Sequence, residues 1–346
     1  MFTALYDEHA CGDFVARARV HTSFLQGVPL GRRYFRALAP LYPRAFESFD
    51  LSAYDLVISS TTSWAKGVIT SPSAIHICYI NTPSRFLFAY EGYVGGFGVG
   101  ALAKPLVARL ARWDRRAALR PTAFVANSRN VANRVRSLYG RDAYVLPCPV
   151  DVERFGVARG EGEYFLVLSR LLPYKRIDLA IDAAAMTGAR LIVAGEGPAA
   201  GALRRRARGT TAEVIGWVPD SQIAALVAGA KAVIVPGEED FGLVPLEAAA
   251  CGRPAIALRR GGAVETIIEG QTGLFFDEPS AASLAQAMRA FDPSKFESAR
   301  LRSHAEQFAP ARFIQRLRAL VDEIAQHGED GARRSIAIDN VPASGA

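Results

Sequence analysis

Four cysteines, Cys11, Cys78, Cys148 and Cys251, are all that the 346 residues contain. They are scattered without a CxxC pair, so neither a zinc site nor a dense disulfide framework is expected, and buried free thiols are. No run reaches the roughly 18 uninterrupted apolar residues of a membrane-spanning helix. The opening MFTALYDEHACGD lacks the basic and apolar regions of a secretory signal. These absences predict a cytoplasmic protein, or one lying peripherally on the inner face of the cell membrane. There is no internal repeat and no long low-complexity tract. Acids are scarce in one region: between Arg85 and Arg141, eleven lysines and arginines face only Glu91 and Asp114.

That basic stretch more than accounts for the formal charge of +7. Phe86, Phe88, Tyr90, Tyr93, Phe97 and Trp113 are interleaved with it, and leucines recur at helical spacing around 102 to 119. The composition suits an anionic membrane surface or a phosphorylated lipid, and equally an arginine-rich solvated helix face. Nucleic acid is a third reading. It lacks the helix-turn-helix, zinc-finger and RNA-binding-sheet signatures, and acids return in the second half.

Half of the residues are hydrophobic, enough for two domains with separate cores. Apolar strands alternate with amphipathic helices, which predicts an α/β architecture with parallel sheets covered on both faces. In the first half, strands are expected at 56–60, 75–80, 123–127 and 144–146. Leu146-Pro147-Cys148-Pro149-Val150-Asp151 breaks the pattern with two prolines and reads as a linker. Beyond it, strands are expected at 164–168, 191–194, 213–215, 232–235, 255–258 and 274–276. Helices fall between them at about 177–187, 198–208, 221–229, 243–251 and 280–291, followed by helices near 295–306 and 310–326. The expected division is 1–155, 156–326 with the terminal helices, and a disordered tail at 327–346. Phe2 to Tyr6 is a candidate short strand; the region from Asp7 to about Tyr54 has only broken periodicity.

The chemistry concentrates in Glu238-Glu239-Asp240-Phe241-Gly242-Leu243-Val244-Pro245-Leu246-Glu247. Glu239 and Glu247 stand eight positions apart across a glycine turn and a helix start, an arrangement suited to a sugar nucleotide. Free backbone N–H groups at the helix start can receive phosphate oxygens, and the two carboxylates can accept hydrogen bonds from hydroxyls. The competing reading is a solvated acidic turn. Arg170 and Lys175 follow the first strand of the second half, at the edge where open α/β sheets bind ligands. Arg170 can bind two oxygens of a diphosphate, and Lys175 is a compact point charge whose attraction to the leaving group strengthens as that group departs. Gly195 and Gly197 allow close backbone approach to a ligand. Trp217 reads either as an apolar wall for a nucleotide base or as packing. Arg259-Arg260-Gly261-Gly262 makes one more glycine turn at the same edge.

These segments resemble the C-terminal half of retaining glycosyltransferases of the GT-B fold, specifically glycosyltransferase family 4. The stretches that carry the resemblance are VLSRLLPYKRIDLAI, LIVAGEGP, IGWVPDSQIAALVAGAKAVIVP, EEDFGLVPLEAAACGRPAIA and GGAVETIIEGQTGLFF, in family order and spacing. The resemblance implies two Rossmann-like doubly wound domains facing across a crevice. It implies that Arg170 and Lys175 bind the donor diphosphate, Glu239 the transferred sugar and Glu247 the ribose hydroxyls. Phe241, Gly242 and Leu243 would supply phosphate-facing backbone. It also implies retention without a metal or resident cofactor, from a GDP- or UDP-sugar donor, with the leaving phosphate helping to deprotonate the acceptor. Similarity to mannosyltransferases of bacterial surface-polysaccharide assembly suggests mannose and a lipid-linked or polysaccharide acceptor.

The first half resembles the family less completely. In Cys78-Tyr79-Ile80-Asn81-Thr82-Pro83-Ser84-Arg85-Phe86, Asn81 stands where family members have a histidine. Asn81 can donate a hydrogen bond but cannot carry a proton. The opening strand, glycine-rich loop and helix of the family's first domain are not evident. A nucleotide-sugar-binding protein with impaired catalysis is therefore the alternative expectation. Asn127-Ser128 matches a familiar strand end, facing the acceptor or making an ordinary turn.

Overall fold

The computed structural model describes residues 1–8, 19–88, 104–158, 160 and 162–327. Phe2–Thr3 (β1) and His21–Thr22 (β2) pair in parallel as a small ribbon. Leu56–Thr61 (β3), Ile75–Ile80 (β4), Ala123–Ala126 (β5) and Ala143–Val145 (β6) form an all-parallel sheet in the order β3-β4-β5-β6. Ile75-His76-Ile77-Cys78-Tyr79-Ile80 is nearly all buried, as a central strand covered on both faces must be. β3 is different. No ladder joins it to β1 among the described residues, and Leu56 and Ile58, on the same face, are 41% and 47% exposed.

The second sheet holds Tyr164–Leu168 (β7), Leu191–Ala194 (β8), Ala212–Gly216 (β9), Ala230–Val235 (β10), Ala255–Leu258 (β11) and Gly273–Phe276 (β12). All six are parallel, in the order β12-β11-β10-β7-β8-β9. The order reverses direction at β7 and β10, where a doubly wound sheet opens its ligand crevice. Alanine-rich helices Ile177–Thr187 and Leu243–Ala250 pack onto its two faces, in two separate hydrophobic clusters.

The helix Ser298–Glu306 packs in the core of this second unit through Leu301 and Ala305. The last helix, Pro310–His327, does not. Its Ile324, with Phe313, Leu317, Leu320 and Val321, packs against Tyr79, Val125 and Tyr144 of the first sheet. This corrects the expectation that both terminal helices stay with the second domain. The chain therefore crosses between the two sheets twice, at 146–152 and again near 308. Residues 328–346, where a tail is expected, and Tyr90, Tyr93 and Phe97 lie outside the described residues.

The sequence's basic stretch is not one surface. Arg120 pairs with Glu47, Arg136 with Asp142, and Arg141 donates to the Ala118, Pro121 and Thr122 carbonyls. Arg85 and Arg134 turn toward the second unit. Arg129 and Arg136 are exposed on their own helix, and the other solvent-facing group is one side of the helix Lys104–Ala117, bearing Lys104, Leu106, Arg109, Arg112 and Arg116. No helix among the described residues is long and apolar enough to cross a membrane.

The other side of that helix buries an ion pair. Lys66 and Asp114 are both fully buried and hydrogen-bonded to each other. The Tyr139 hydroxyl donates to the second Asp114 oxygen at 2.6 Å, and the Lys66 ammonium lies 5.5 Å from the Tyr139 ring centroid. Desolvating two charges is costly, so the pair tolerates loss of neither partner alone. Asp114→Ala should cost about 3–5 kcal/mol in urea unfolding. Replacing both partners with apolar residues, Lys66→Met with Asp114→Leu, should cost markedly less than the single change.

Candidate active site

The loops that follow β7, β8, β10 and β11 meet at the C-terminal edge of the second sheet. They are tied to one another by backbone. The Leu171 N–H donates to the Glu196 carbonyl at 2.9 Å, the Gly195 N–H to Gly216 at 2.7 Å and the Gly262 N–H to Glu239 at 2.8 Å. Gly195 adopts φ +132°, and a Cβ there would lie 1.9 Å from the Ser169 carbonyl oxygen; one on Gly197 would lie 2.4 Å from that of Leu171. Both glycines thus serve contact between loops, which brings the β8 loop against the segment that carries Arg170 and Lys175.

Lys175 ends the short 3-10 turn Pro173–Lys175 and points at the acidic loop. Its Nζ lies 2.5 Å from both Glu239 carboxylate oxygens, a pair largely shielded from solvent. Ser169, Lys175, Pro236, Glu239 and Val244 line a small pocket here. Arg170 is exposed at the mouth of the same edge. A wider hollow of about 320 Å³ lies elsewhere, lined by Gln271, Thr272, Arg300, Ser303 and His304. Thr272 precedes β12, which puts that hollow at the opposite, N-terminal edge of the parallel sheet.

Gly242 takes φ +99° and starts the helix Leu243–Ala250, whose first N–H groups carry no side-chain cap. Such a start presents donors and the positive end of the helix dipole. Pro245 within the first turn loses no hydrogen bond there. Leu243 is exposed beside the opening, whereas the Phe241 side chain is buried and meets Phe308 at 6.1 Å between ring centroids. Only the backbone of Phe241 can face a ligand. Trp217 follows β9, the edge strand, and is 66% exposed; the packing alternative does not describe it.

The acidic turn is not a solvated one. Asp240 accepts from Arg85 Nε at 3.2 Å, from Arg85 Nη2 at 2.7 Å, from Arg134 Nη1 and from the Thr82 hydroxyl at 3.2 Å. Glu238 accepts from Arg134 Nη2 at 2.7 Å. Each of the three adjacent acids has a cation, one from its own unit and two from the other. The Ser128 hydroxyl caps the helix Arg129–Tyr139 by accepting from the Val131 N–H at 3.0 Å, and donates to the Asp240 carbonyl at 2.6 Å. Glu265, from across the crevice, accepts the Arg129 and Asn130 N–H groups at 2.8 and 2.9 Å. Burial raises the Glu265 pKa, and those two N–H groups pull it back. Asn81 sits at the end of β4, its Nδ2 3.5 Å from Ser60 Oγ and its carbonyl accepting from Asn127 Nδ2 at 3.1 Å. Among the described residues, no group of three or more His, Cys, Asp or Glu side chains is placed to hold a metal ion.

Two facing sheets of parallel strands, with a cation-lined crevice at the strand ends, define the GT-B class. Residues 3–154 match the family described as glycosyltransferase family 4, and residues 150–308 the one described as glycosyl transferases group 1. The chain belongs to glycosyltransferase family 4. It is 39% identical over 127 residues to a GDP-mannose-dependent alpha-(1-6)-phosphatidylinositol dimannoside mannosyltransferase of Mycobacterium tuberculosis, covering 35% of this chain and 33% of that protein. It is 30% identical over 247 residues to a D-inositol 3-phosphate glycosyltransferase of Geodermatophilus obscurus, covering 61% and 55%. The matches thus span about a third to a half of these relatives. Among solved structures, sucrose-phosphate synthase from Thermosynechococcus elongatus superposes with TM-score 0.68 at 18% identity, covering 89% of this chain and 84% of that one. Anabaena HepE in complex with UDP-glucose gives 0.65 at 17%, covering 93% and 91%. At these identities the superpositions establish the fold.

Glu247 lies one turn into its helix and is half-buried. Burial raises its pKa above the ordinary value, against a pull downward from Arg154. The ionised form is therefore the one the fold disfavours. Its cost is absent below the ordinary carboxylate range and grows as pH rises through the raised value. Glu247→Gln should melt above wild type at pH 7, with the gap closing toward pH 4.5 in thermal scans.

Proposed function

We propose that the protein is a retaining glycosyltransferase. It takes a hexose, mannose in this reading, from a GDP- or UDP-sugar and transfers it to a lipid-linked or polysaccharide acceptor. The observation that carries the reading is the Lys175–Glu239 pair beside the uncapped helix start at Gly242, within a chain of this family. Arg170 and Lys175 neutralise the donor diphosphate, and the N–H groups at Leu243 face its oxygens. Negative charge grows there as the bond from the anomeric carbon to phosphate breaks, so these donors bind the transition state more tightly than the ground state. Glu239, released from Lys175 by the diphosphate, accepts hydrogen bonds from the sugar hydroxyls, and Glu247 from the ribose. Trp217 offers its exposed ring to the base.

The acceptor hydroxyl attacks the face the phosphate leaves. Its proton passes to a departing phosphate oxygen, and no protein nucleophile is needed. Asn81 holds the sugar by hydrogen bonding and takes no part in proton movement. A second reading, a donor-binding protein without turnover, is favoured by Asn81 and by the pairing of all three acids with cations of the protein itself. Lys175→Ala should weaken GDP or UDP binding about tenfold, roughly 1.4 kcal/mol. Glu239→Ala should leave that affinity nearly unchanged and lower nucleotide release from the sugar donor by about 10²–10³-fold. Calorimetry followed by a release assay reads both; nucleotide binding with no release under any acceptor condition would leave the second reading standing.

We place the protein in the cytoplasm, held peripherally at an anionic membrane, with no nucleic-acid partner. The exposed face of the helix Lys104–Ala117 supports this, as does the segment from Phe24 to Leu41, where Leu30, Tyr34 and Phe35 are exposed beside Arg32, Arg33 and Arg36. Apolar and cationic groups side by side suit the interfacial zone of a bilayer. Co-sedimentation should show retention on phosphatidylserine vesicles that falls with salt, and none on phosphatidylcholine. Equal retention by DNA or RNA would count against it.

A further inference from the structure

Within the 238–240 turn Glu238 and Asp240 share Arg134, Asp240 alone adds Arg85, and Glu239 pairs with Lys175 instead, a division that assigns Asp240 a role of its own. Glu239 answers to Lys175 of its own unit. Asp240, the next residue, answers to the facing unit through Arg85, Arg134 and Thr82. Its carbonyl also receives the Ser128 hydroxyl, and the Glu239 carbonyl receives Asn130 Nδ2 at 3.2 Å. Arg85 further lays its guanidinium 4.8 Å over the ring of Tyr174, the neighbour of Lys175. Both ends of the Lys175–Glu239 pair are thereby braced from across the crevice. The Asp240, Arg85 and Arg134 side chains are each about four-fifths shielded, so solvent screens these pairs less than surface ones.

We propose that Asp240, Arg85 and Arg134 form a cross-domain ionic clamp that positions Glu239 for the donor sugar and couples closure of the acceptor-side unit to the geometry of the donor site. Asp240 is a positioning residue in this proposal: its carboxylate is consumed by the two arginines, and it acts on the sugar through the backbone it shares with Glu239. The clamp rests on the transferase reading for its purpose but not for its existence.

The test compares wild type, Asp240→Asn, Asp240→Glu and the double variant Arg85→Met with Arg134→Met, by hydrogen exchange and small-angle scattering. Asp240→Asn and the arginine double variant should raise exchange at amides 238–242 at least tenfold and enlarge the radius of gyration. Asp240→Glu should restore much of both, and raised salt should reproduce the opening in wild type. These arms need no substrate. Titration with GDP and UDP tests the transferase reading separately; with a donor that turns over, Asp240→Asn should lower kcat tenfold or more with donor KM within about threefold. Wild-type exchange and dimensions in both Asp240→Asn and the double variant would overturn the clamp. So would a rise in exchange spread evenly over the second sheet, which marks loss of stability and not of closure.

Discussion

Three consecutive carboxylates must be neutralised at one strand end, and much of the molecule's arrangement follows from how this is done. An isolated EED turn would repel itself and unfold into solvent. Here it is balanced by Lys175 from one side and by Arg85 and Arg134 from the other. That balance pins the loop between β10 and the Leu243–Ala250 helix, and the loop in turn fixes where the helix starts. It also ties the loop to both units, through Lys175 on one side and Arg85 and Arg134 on the other. The glycines of the neighbouring turns fit this scheme, because the loops must touch backbone to backbone before any side chain can converge on the crevice.

The second sheet was legible because its central strands are buried on both faces and so appear as unbroken apolar runs, such as Ala232-Val233-Ile234-Val235. Its helices carry their own punctuation: Pro245 at a start, Gly188 at an end. The first unit was harder to read. Between Phe24 and Glu47 it uses short 3-10 turns and a six-residue helix, which are too brief to establish a period.

Candidate residues divide by the same logic. Lys175, Glu239, Gly242 and Glu247 share one strand edge, and their place after strand ends is what singles them out as candidates. The pairing of Arg85 and Arg134 with Asp240 spans more than a hundred residues, and no local pattern marks it. In the sequence both belong to a basic stretch, and Arg85 also to the segment around Asn81; the fold divides that stretch into pairs within the first unit, cross-domain contacts and exposed helix faces. Phe241 divides differently: its place beside the candidate loop does not turn its side chain toward the crevice, and the ring belongs to the core. Ser128 was noticed for its strand end; its double use, as helix cap and as cross-crevice donor, needed coordinates.

The bare face of β3 has a consequence for handling the protein. A strand whose outer edge makes no ladder among the described residues and whose Leu56 and Ile58 meet solvent has the character of a template for an extended apolar chain. The second sheet ends on one side with β9, whose Glu213 and Ile215 alternate outward, so a charge interrupts that border. β3 has no such guard: its outward residues are Leu56, Ile58 and Ser60. Among the described residues β3 is therefore the less guarded of the two borders, and its character rests on two side chains far from the crevice.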